Sequence, residues 1–244
     1  MASGVFRGRA EEPLVFRRRF CLWLILSGTG LYFFANIQRV AIPGAIFDLL
    51  QEDLHLSAPG VTALGSVFMY VYALNQLLIG LFVSRYGGRR VILPGALLFC
   101  LGSLLFPLSS GGWLYVSRAL TGFGASSLYL ALIDETIRAC RKNYAIVVSL
   151  VITAGYAGGI VANAPFVALV RMTGWQRALL GVAGLTIFCY LLFAAVSSLR
   201  KLPPVHRGAP FRLSPFLQVL GRGNNRMVFL FSGLNFGLYY VIQT

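Results

Sequence analysis

Acidic residues are scarce in this chain: 7 Asp and Glu among 244 residues, against 21 Lys and Arg and 2 His. Charged residues of both signs make up 11%, where a soluble globular chain carries about 25%, and that deficit excludes a soluble domain. His55 and His206 stand alone. The four cysteines, Cys21, Cys100, Cys140 and Cys189, are scattered with no C-x-x-C spacing, so the chain spells out no metal-ligand cluster. Cys100 and Cys189 fall inside apolar runs and read as small packing residues. No hydrolase triad and no phosphate-cradling loop is recognisable, so the chain reads as a non-enzyme needing neither cofactor nor metal.

Apolar residues are plentiful, at 57% of the chain, with a mean hydropathy of +0.76. Residues 20–38, 54–84, 91–117, 119–133, 143–170, 178–199 and 227–244 contain no Asp, Glu, Lys or Arg. A helix crossing a bilayer needs about 20 apolar residues. The run 91–117 is too long for one crossing of a core of about 30 Å, and Ser109-Ser110-Gly111-Gly112 divides it as a turn. The chain therefore reads as an all-α, polytopic membrane protein with six spans and most of a seventh.

Residues 1–19 form a polar tail. Arg17-Arg18-Arg19-Phe20 resembles a twin-arginine export signal only faintly; no small-residue cleavage site follows, so span one stays in the protein. Six spans are expected within 20–200. Span one starts near Phe20 and runs past Arg39. Span two starts at Ser57-Ala58-Pro59, a capping serine with proline in the first turn. Span three covers 91–108, span four 113–136, span five 144–170 and span six 178–198. Residues 201–226, broken by Pro203, Pro204, Pro210 and Pro215, read as a cytoplasmic linker with a short surface helix at 214–220. Residues 227–244 open a seventh span of only about 27 Å, so the sequence reads as cut rather than finished.

The net charge of +14 might indicate nucleic acid, but its distribution does not. Arg7, Arg9, Arg17, Arg18 and Arg19 precede span one; Arg85, Arg89 and Arg90 follow span two; Arg138, Arg141 and Lys142 follow span four. Arg200, Lys201, Arg207, Arg212, Arg222 and Arg226 follow span six, whereas the opposite side holds only Arg39, Arg171 and Arg177. This is the positive-inside pattern. It places the N-terminus in the cytoplasm, with membrane lipid as the partner and no nucleic acid.

The turn between spans two and three reads Gly80-Leu81-Phe82-Val83-Ser84-Arg85-Tyr86-Gly87-Gly88-Arg89-Arg90. It resembles the signature loop of the major facilitator superfamily, roughly G-x-x-x-D-R-x-G-R-[KR]. Gly80, Arg85, Gly87, Arg89 and Arg90 match in order, with Ser84 where the family usually has Asp and Gly88 where it usually has Arg. In span four, Arg118-Ala119-Leu120-Thr121-Gly122-Phe123-Gly124-Ala125 resembles the family's R-x-x-x-G-x-G-A. Gly174-Trp175-Gln176-Arg177 is similar to the G-W-R that often precedes span six.

The resemblance covers about 20–200 and implies a six-helix N-terminal bundle built as a 3+3 inverted repeat. It also implies a secondary active transporter that works by alternating access, in an inner or plasma membrane. The signature loop would be the conformational switch, with Asp134 or Glu135 pairing with Arg85 or Arg89 and Ser84 unable to offer a carboxylate. The missing C-terminal half, or a second copy, would be the partner. Gly155 and Gly159 form a G-x-x-x-G pair suited to close helix packing. The family's glycine-proline exporter marker is degraded here.

Arg39 and Arg118 carry the substrate argument, since a charge within a span is functional by default. Arg118 stands about 24 Å of helix before Asp134, and Arg39 about 30 Å beyond Arg19. Both therefore sit in the outer part of the membrane. Tyr32, Asn36 and Arg39 share one face of span one, and Arg118, Gly122, Ser126 and Tyr129 follow a similar stripe of span four. In the family these two spans line the central cavity. Two guanidinium groups would grip a carboxylate or phosphate, so a small anionic solute such as an organic acid is expected. A proton is the expected coupling ion, as in a symporter, although no Asp or Glu lies mid-span to carry it. The competing readings are a half-size module that dimerises or binds a partner, a non-functional fragment, and a seven-span receptor. The last is weakest, because the charge pattern puts its termini on the wrong sides.

Overall fold

The computed structural model describes residues 14–140, 143–199 and, near the C-terminus, 221, 223, 225–228 and 230–234; for 14–18 only the backbone is described. Residues 1–13 of the expected tail, most of the linker with its surface helix, and 235–244 lie outside these; residues 14–19, expected as tail, are instead the first turns of the helix Leu14–Val40. The chain divides into two compact units, 1–204 and 205–244. In the second unit, 225–228 and 230–234 are helical, and the Arg226 guanidinium donates to the Gly221 carbonyl at 3.0 Å.

Among the described residues of the first unit every regular element is a helix, joined by short turns. In chain order it comprises α1 (Leu14–Val40), a wide π-type turn (Ala41–Ala45), α2 (Phe47–Leu54), α3 (Ala58–Tyr86), α4 (Gly88–Leu105), a short 3-10 turn (Phe106–Leu108), α5 (Trp113–Cys140), α6 (Tyr144–Val161), α7 (Ala164–Thr173) and α8 (Trp175–Ser198). Among the described residues six helices are long and apolar enough to cross a membrane: Arg19–Ala45, Ala58–Tyr86, Gly88–Leu108, Trp113–Cys140, Tyr144–Val161 and Trp175–Ser198.

Local chemistry sets most of these boundaries. Ser57 Oγ accepts the Gly60 N–H at 3.3 Å and Pro59 sits in the first turn, so α3 begins where the capping signal stands. Gly87, at φ 82, separates α3 from α4, and Gly174, at φ 83, separates α7 from α8; side chains rarely adopt that backbone. Two spans depart from a plain helix. Span one widens at Ala41–Ala45, which contains Pro43 and Gly44. Span five, expected as one helix over 144–170, is broken: α6 ends at Val161 and α7 restarts at Ala164, with Pro165 in its first turn. Pro165 supplies no N–H to the turn before it, and its ring disfavours continuing the helix through that point.

Water does not drive helices together inside a bilayer; close packing of small residues does. Gly88, Gly95 and Gly102 recur every seven residues along α4. A Cβ on Gly95 would collide with the Ser127 side chain, and one on Gly88 with the Ala131 carbonyl, both on α5. Gly124 of α5 meets the Phe99 backbone in return, and Gly122 meets the Phe68 carbonyl of α3. Hence α5 is the central span: 61% of its most apolar window is buried, against 22% for both α3 and α6. One apolar cluster gathers around Phe20, Leu31, Phe99 and Phe193, and another around Ile42, Leu50, Leu114 and Trp175. At the second cluster Trp175 Nε1 donates to Asp53 at 2.6 Å, tying α8 to the end of α2.

Candidate functional site

The turn joining α3 to α4 is held from α5 by two carboxylates. The first backbone N–H groups of a helix have no partner within it. Here the Gly88 N–H donates to Asp134 Oδ2 at 3.0 Å and the Arg89 N–H to Glu135 Oε1 at 3.0 Å. Negative charge at a helix N-terminus is also favoured by the helix dipole. The Arg89 guanidinium lies 3.4 Å from the other Glu135 oxygen, an ion pair not aligned as a hydrogen bond, and 5.6 Å over the Phe20 ring. Arg138 Nε donates to Asp134 at 2.8 Å. The two acids therefore divide their work: Glu135 faces Arg89, and Asp134 faces Gly88 and Arg138.

Other signature residues are placed differently. Arg85 is exposed, its guanidinium 5.6 Å over the ring of its neighbour Tyr86. Ser84 is exposed and donates to the Leu81 carbonyl at 2.8 Å. Gly80 has open space around it, and Arg90 is half-buried, its Nη1 enclosed and without a hydrogen-bond partner among the described residues. Gly88, one of the two departures from the family pattern, is explained by its approach to Ala131: no side chain fits there.

Arg118 is completely buried. Its Nε donates to the Leu64 carbonyl of α3 at 3.2 Å, and Nη1 to the Gln38 carbonyl of α1 at 3.3 Å. The guanidinium lies 4.6 Å over Phe68 and 5.9 Å over Phe106, a cation–π arrangement on two rings. The Gln38 carbonyl that accepts from Arg118 lies just before the π-type turn that contains Pro43. The Gln38 side chain meanwhile donates to Ser103 of α4. Arg118 Nη2 is buried and unpartnered, and among the described residues no carboxylate pairs with this guanidinium.

The expected span-one stripe meets α5 and α6 through aromatic rings. Tyr32 is buried; its ring centroid lies 5.6 Å from that of Tyr129 on α5 and 6.4 Å from that of Tyr156 on α6. Asn36 Nδ2 donates to the Tyr32 carbonyl at 2.9 Å, and its buried Oδ1 has no hydrogen-bond partner among the described residues. Arg39, half-buried, follows one turn later on the same face. Tyr32, Tyr129, Asn36 and Arg39 thus border one region, while Arg118 is held among α1, α3 and α5.

Sequence reasoning missed Tyr156 and Asn75. Tyr156 is the residue after Gly155, whose lack of a side chain leaves room for the Tyr32 ring. Asn75, buried on α3, donates to Ser126 Oγ at 2.6 Å and to the Phe123 carbonyl at 3.2 Å. A lone buried amide in an otherwise apolar span is the signal that could have found it.

A family model described as the Major Facilitator Superfamily matches residues 25–244. The chain is similar to a protein of Arabidopsis thaliana named "Ascorbate transporter, chloroplastic", 24% identical over 184 residues, 73% of this chain and 33% of that protein. It is also similar to an uncharacterized MFS-type transporter of Mycobacterium tuberculosis, 28% identical over 200 residues, 75% of this chain and 32% of that protein. Among solved structures it resembles the peptide transporter POT in complex with sulfate. The TM-score is 0.66 and the identity 16%, over 93% of this chain and 47% of that one. The chain thus spans about a third of the length of these curated relatives and about half of that solved structure.

Proposed function

This chain belongs to the Major Facilitator Superfamily, and from that premise we propose that it supplies one bundle of a secondary active transporter working by alternating access. The proposed cargo is a small anionic solute, such as an organic acid. The observation that carries the reading is the face made by Tyr32, Asn36 and Arg39 of α1 with Tyr129 of α5. The tyrosine rings offer flat apolar contact, the Asn36 oxygen is an unspent acceptor, and Arg39 offers a guanidinium to a carboxylate. A similar protein named for ascorbate, itself an anion, agrees with an anionic cargo.

Arg118 enters this reading as a positioning residue. Two of its donors are taken by carbonyls of α1 and α3, so it fixes those spans relative to α5. Gly80, Ser84, Arg85, Gly87, Arg89 and Arg90 with Asp134 form the proposed switch, in which the carboxylates of α5 anchor the α3–α4 turn while the bundle rocks against a second one. Glu135 is the candidate for proton-coupled symport: among the described residues it is the buried acid. The basic flanks support a cytoplasmic N-terminus and a cell-membrane location.

Uptake of radiolabelled organic acids into proteoliposomes carrying the complete transporter tests the reading. Losing one charge-assisted hydrogen bond costs about 1.5–3 kcal/mol. Arg39→Ala should therefore raise KM roughly tenfold or more, and Tyr32→Phe should change it less. If neither Arg39→Ala nor Tyr129→Ala alters uptake of any anion, the anionic reading fails.

A further inference from the structure

On the side of α1 away from the tyrosine cluster lies an apolar crevice of about 1060 Å³. Its floor is α1, from Cys21 through Leu26 to Phe34, and its wall is α6, including Val147 and Ala154. On the α6 wheel Gly155 and Gly158 face α1, against the Tyr32 ring and the Phe33 carbonyl. Ala154 and Tyr156 flank that contact about 100° to either side, so the crevice and the tyrosine cluster are separate features. From Cys21 to Phe34 the floor runs about 20 Å, comparable with one leaflet of a core about 30 Å thick.

The two ends of the crevice differ in charge. At the Phe34 and Ala154 end the lining is apolar. At the Cys21 end stand Arg19, exposed two residues before the lining, and Arg138, exposed one residue before lining Ala139. Asp134 accepts from Arg138 and Gly88, and Glu135 from Arg89, so each of these acids is balanced by an arginine and, among the described residues, Arg19 adds positive charge that no carboxylate offsets. A positive mouth on an apolar slot of leaflet length matches a molecule with an anionic head and an acyl tail.

We propose that this crevice is a binding site for an anionic phospholipid, one acyl chain lying along α1 between α6 and the Cys189 edge of α8, with the phosphate at the Arg19 and Arg138 end. Gly30, which lines the slot, abuts Cys189 and so closes its back. The site is independent of the solute reading, since it uses neither the tyrosine cluster nor Arg39.

Native mass spectrometry of the detergent-solubilised chain, titrated with phosphatidylglycerol and with phosphatidylcholine of the same chain length, tests the proposal. Phosphatidylglycerol should be retained at least about fivefold more strongly. Arg19→Gln and Arg138→Gln should each weaken it roughly fivefold, the worth of one basic residue at an anionic surface, and Ala154→Trp should abolish the preference by filling the slot. Equal retention of the two lipids, or an Ala154→Trp protein that binds phosphatidylglycerol as before, overturns the proposal. Photoactivatable phosphatidylglycerol on the unaltered chain needs no variant to fold: labelling within 21–34 and 143–154 supports the site, and labelling confined to other spans overturns it. A dimer whose formation excludes phosphatidylglycerol would assign the crevice to a second copy and likewise overturn it.

Discussion

The α4–α5 pair and the α1–α6 pair both join neighbouring spans, yet they do so in opposite ways. Along α4–α5, glycines at a seven-residue spacing bring backbone against backbone, and the end of the pair is locked by Asp134 and Glu135 on the first turn of α4. Along α1–α6, the glycines admit the Tyr32 ring and the Phe33 carbonyl, a crevice opens to one side, and both spans lose helical regularity beyond Val40 and Val161. In lipid, where the hydrophobic effect does not press helices together, contact density decides which pair is stiff. The first pair is packed backbone to backbone. The second holds side chains between its helices and borders a crevice, which suits the span pair that carries the proposed solute face.

The largest test of this contrast is to force the close-packed pair apart. Gly95→Leu places a branched side chain on Ser127, and overpacking there should cost about 3 kcal/mol. Fluorescence-detected gel filtration after heating should show the monodisperse peak lost at a much lower temperature than for the unaltered chain. An unchanged melting profile would mean that α4 and α5 are not in the close contact described.

Next is the brace common to both pairs. Arg118→Met keeps an apolar body but removes the donors to Leu64 and Gln38, for an expected loss of about 1–3 kcal/mol in the same assay. A melting temperature that rises instead would show that the buried charge costs more than its contacts return.

The lock on the α3–α4 turn comes third. Glu135→Gln retains an oxygen for the Arg89 N–H and loses only the charge facing the guanidinium, whereas Glu135→Ala loses both. The alanine variant should be less stable than the glutamine variant by about 1 kcal/mol. Equal destabilisation would mean that the backbone bond contributes nothing.

The smallest effect separates two glycines of one motif. Gly155→Ala would strike the Tyr32 ring, while a Cβ on Gly159 would find its nearest neighbour, Val40, at 3.7 Å. Gly159→Ala should therefore stay within about 0.5 kcal/mol of the unaltered chain, and Gly155→Ala should fall further. Indistinguishable melting curves for the two would dissolve the distinction drawn for the α1–α6 contact.

Much of the fold was legible because its signals are local. Ser57 and Pro59 announce the start of α3, Gly87 and Gly174 mark two turns, and the apolar runs give six spans. The break in span five was not read, although Asn163 and Pro165 stand at it, because the apolar run continues unbroken through both. The G-x-x-x-G pair does lie against α1, Gly155 on Tyr32 and Gly159 near Val40, but the still closer approach of Gly158 to the Phe33 carbonyl is not part of that spacing. The spacing of four is a generic packing signal, whereas the rotation of α6 presents Gly155 and Gly158 to α1. At the site, pairing of an α5 acid with Arg89 was visible in outline, but the division of work between Asp134 and Glu135 was not. The capping of α4 by side chains from a distant span leaves no trace in spacing.

What the sequence alone determined is the solvent this protein lives in and six of its apolar spans, with the family legible separately in the motifs at 80–90 and 118–125. The solvent and the spans follow from transfer free energies summed residue by residue along the chain, and such a sum needs no knowledge of neighbours. Only the tertiary structure decided that Arg118 spends its donors on two other spans, that Tyr156 joins Tyr32 and Tyr129, and that an apolar slot with a basic mouth lies behind α1. Those outcomes depend on how far each helix rotates and how closely it approaches the next. A difference of one methyl group at Gly95, Gly124 or Gly155 sets that distance, and no sum along the chain contains it.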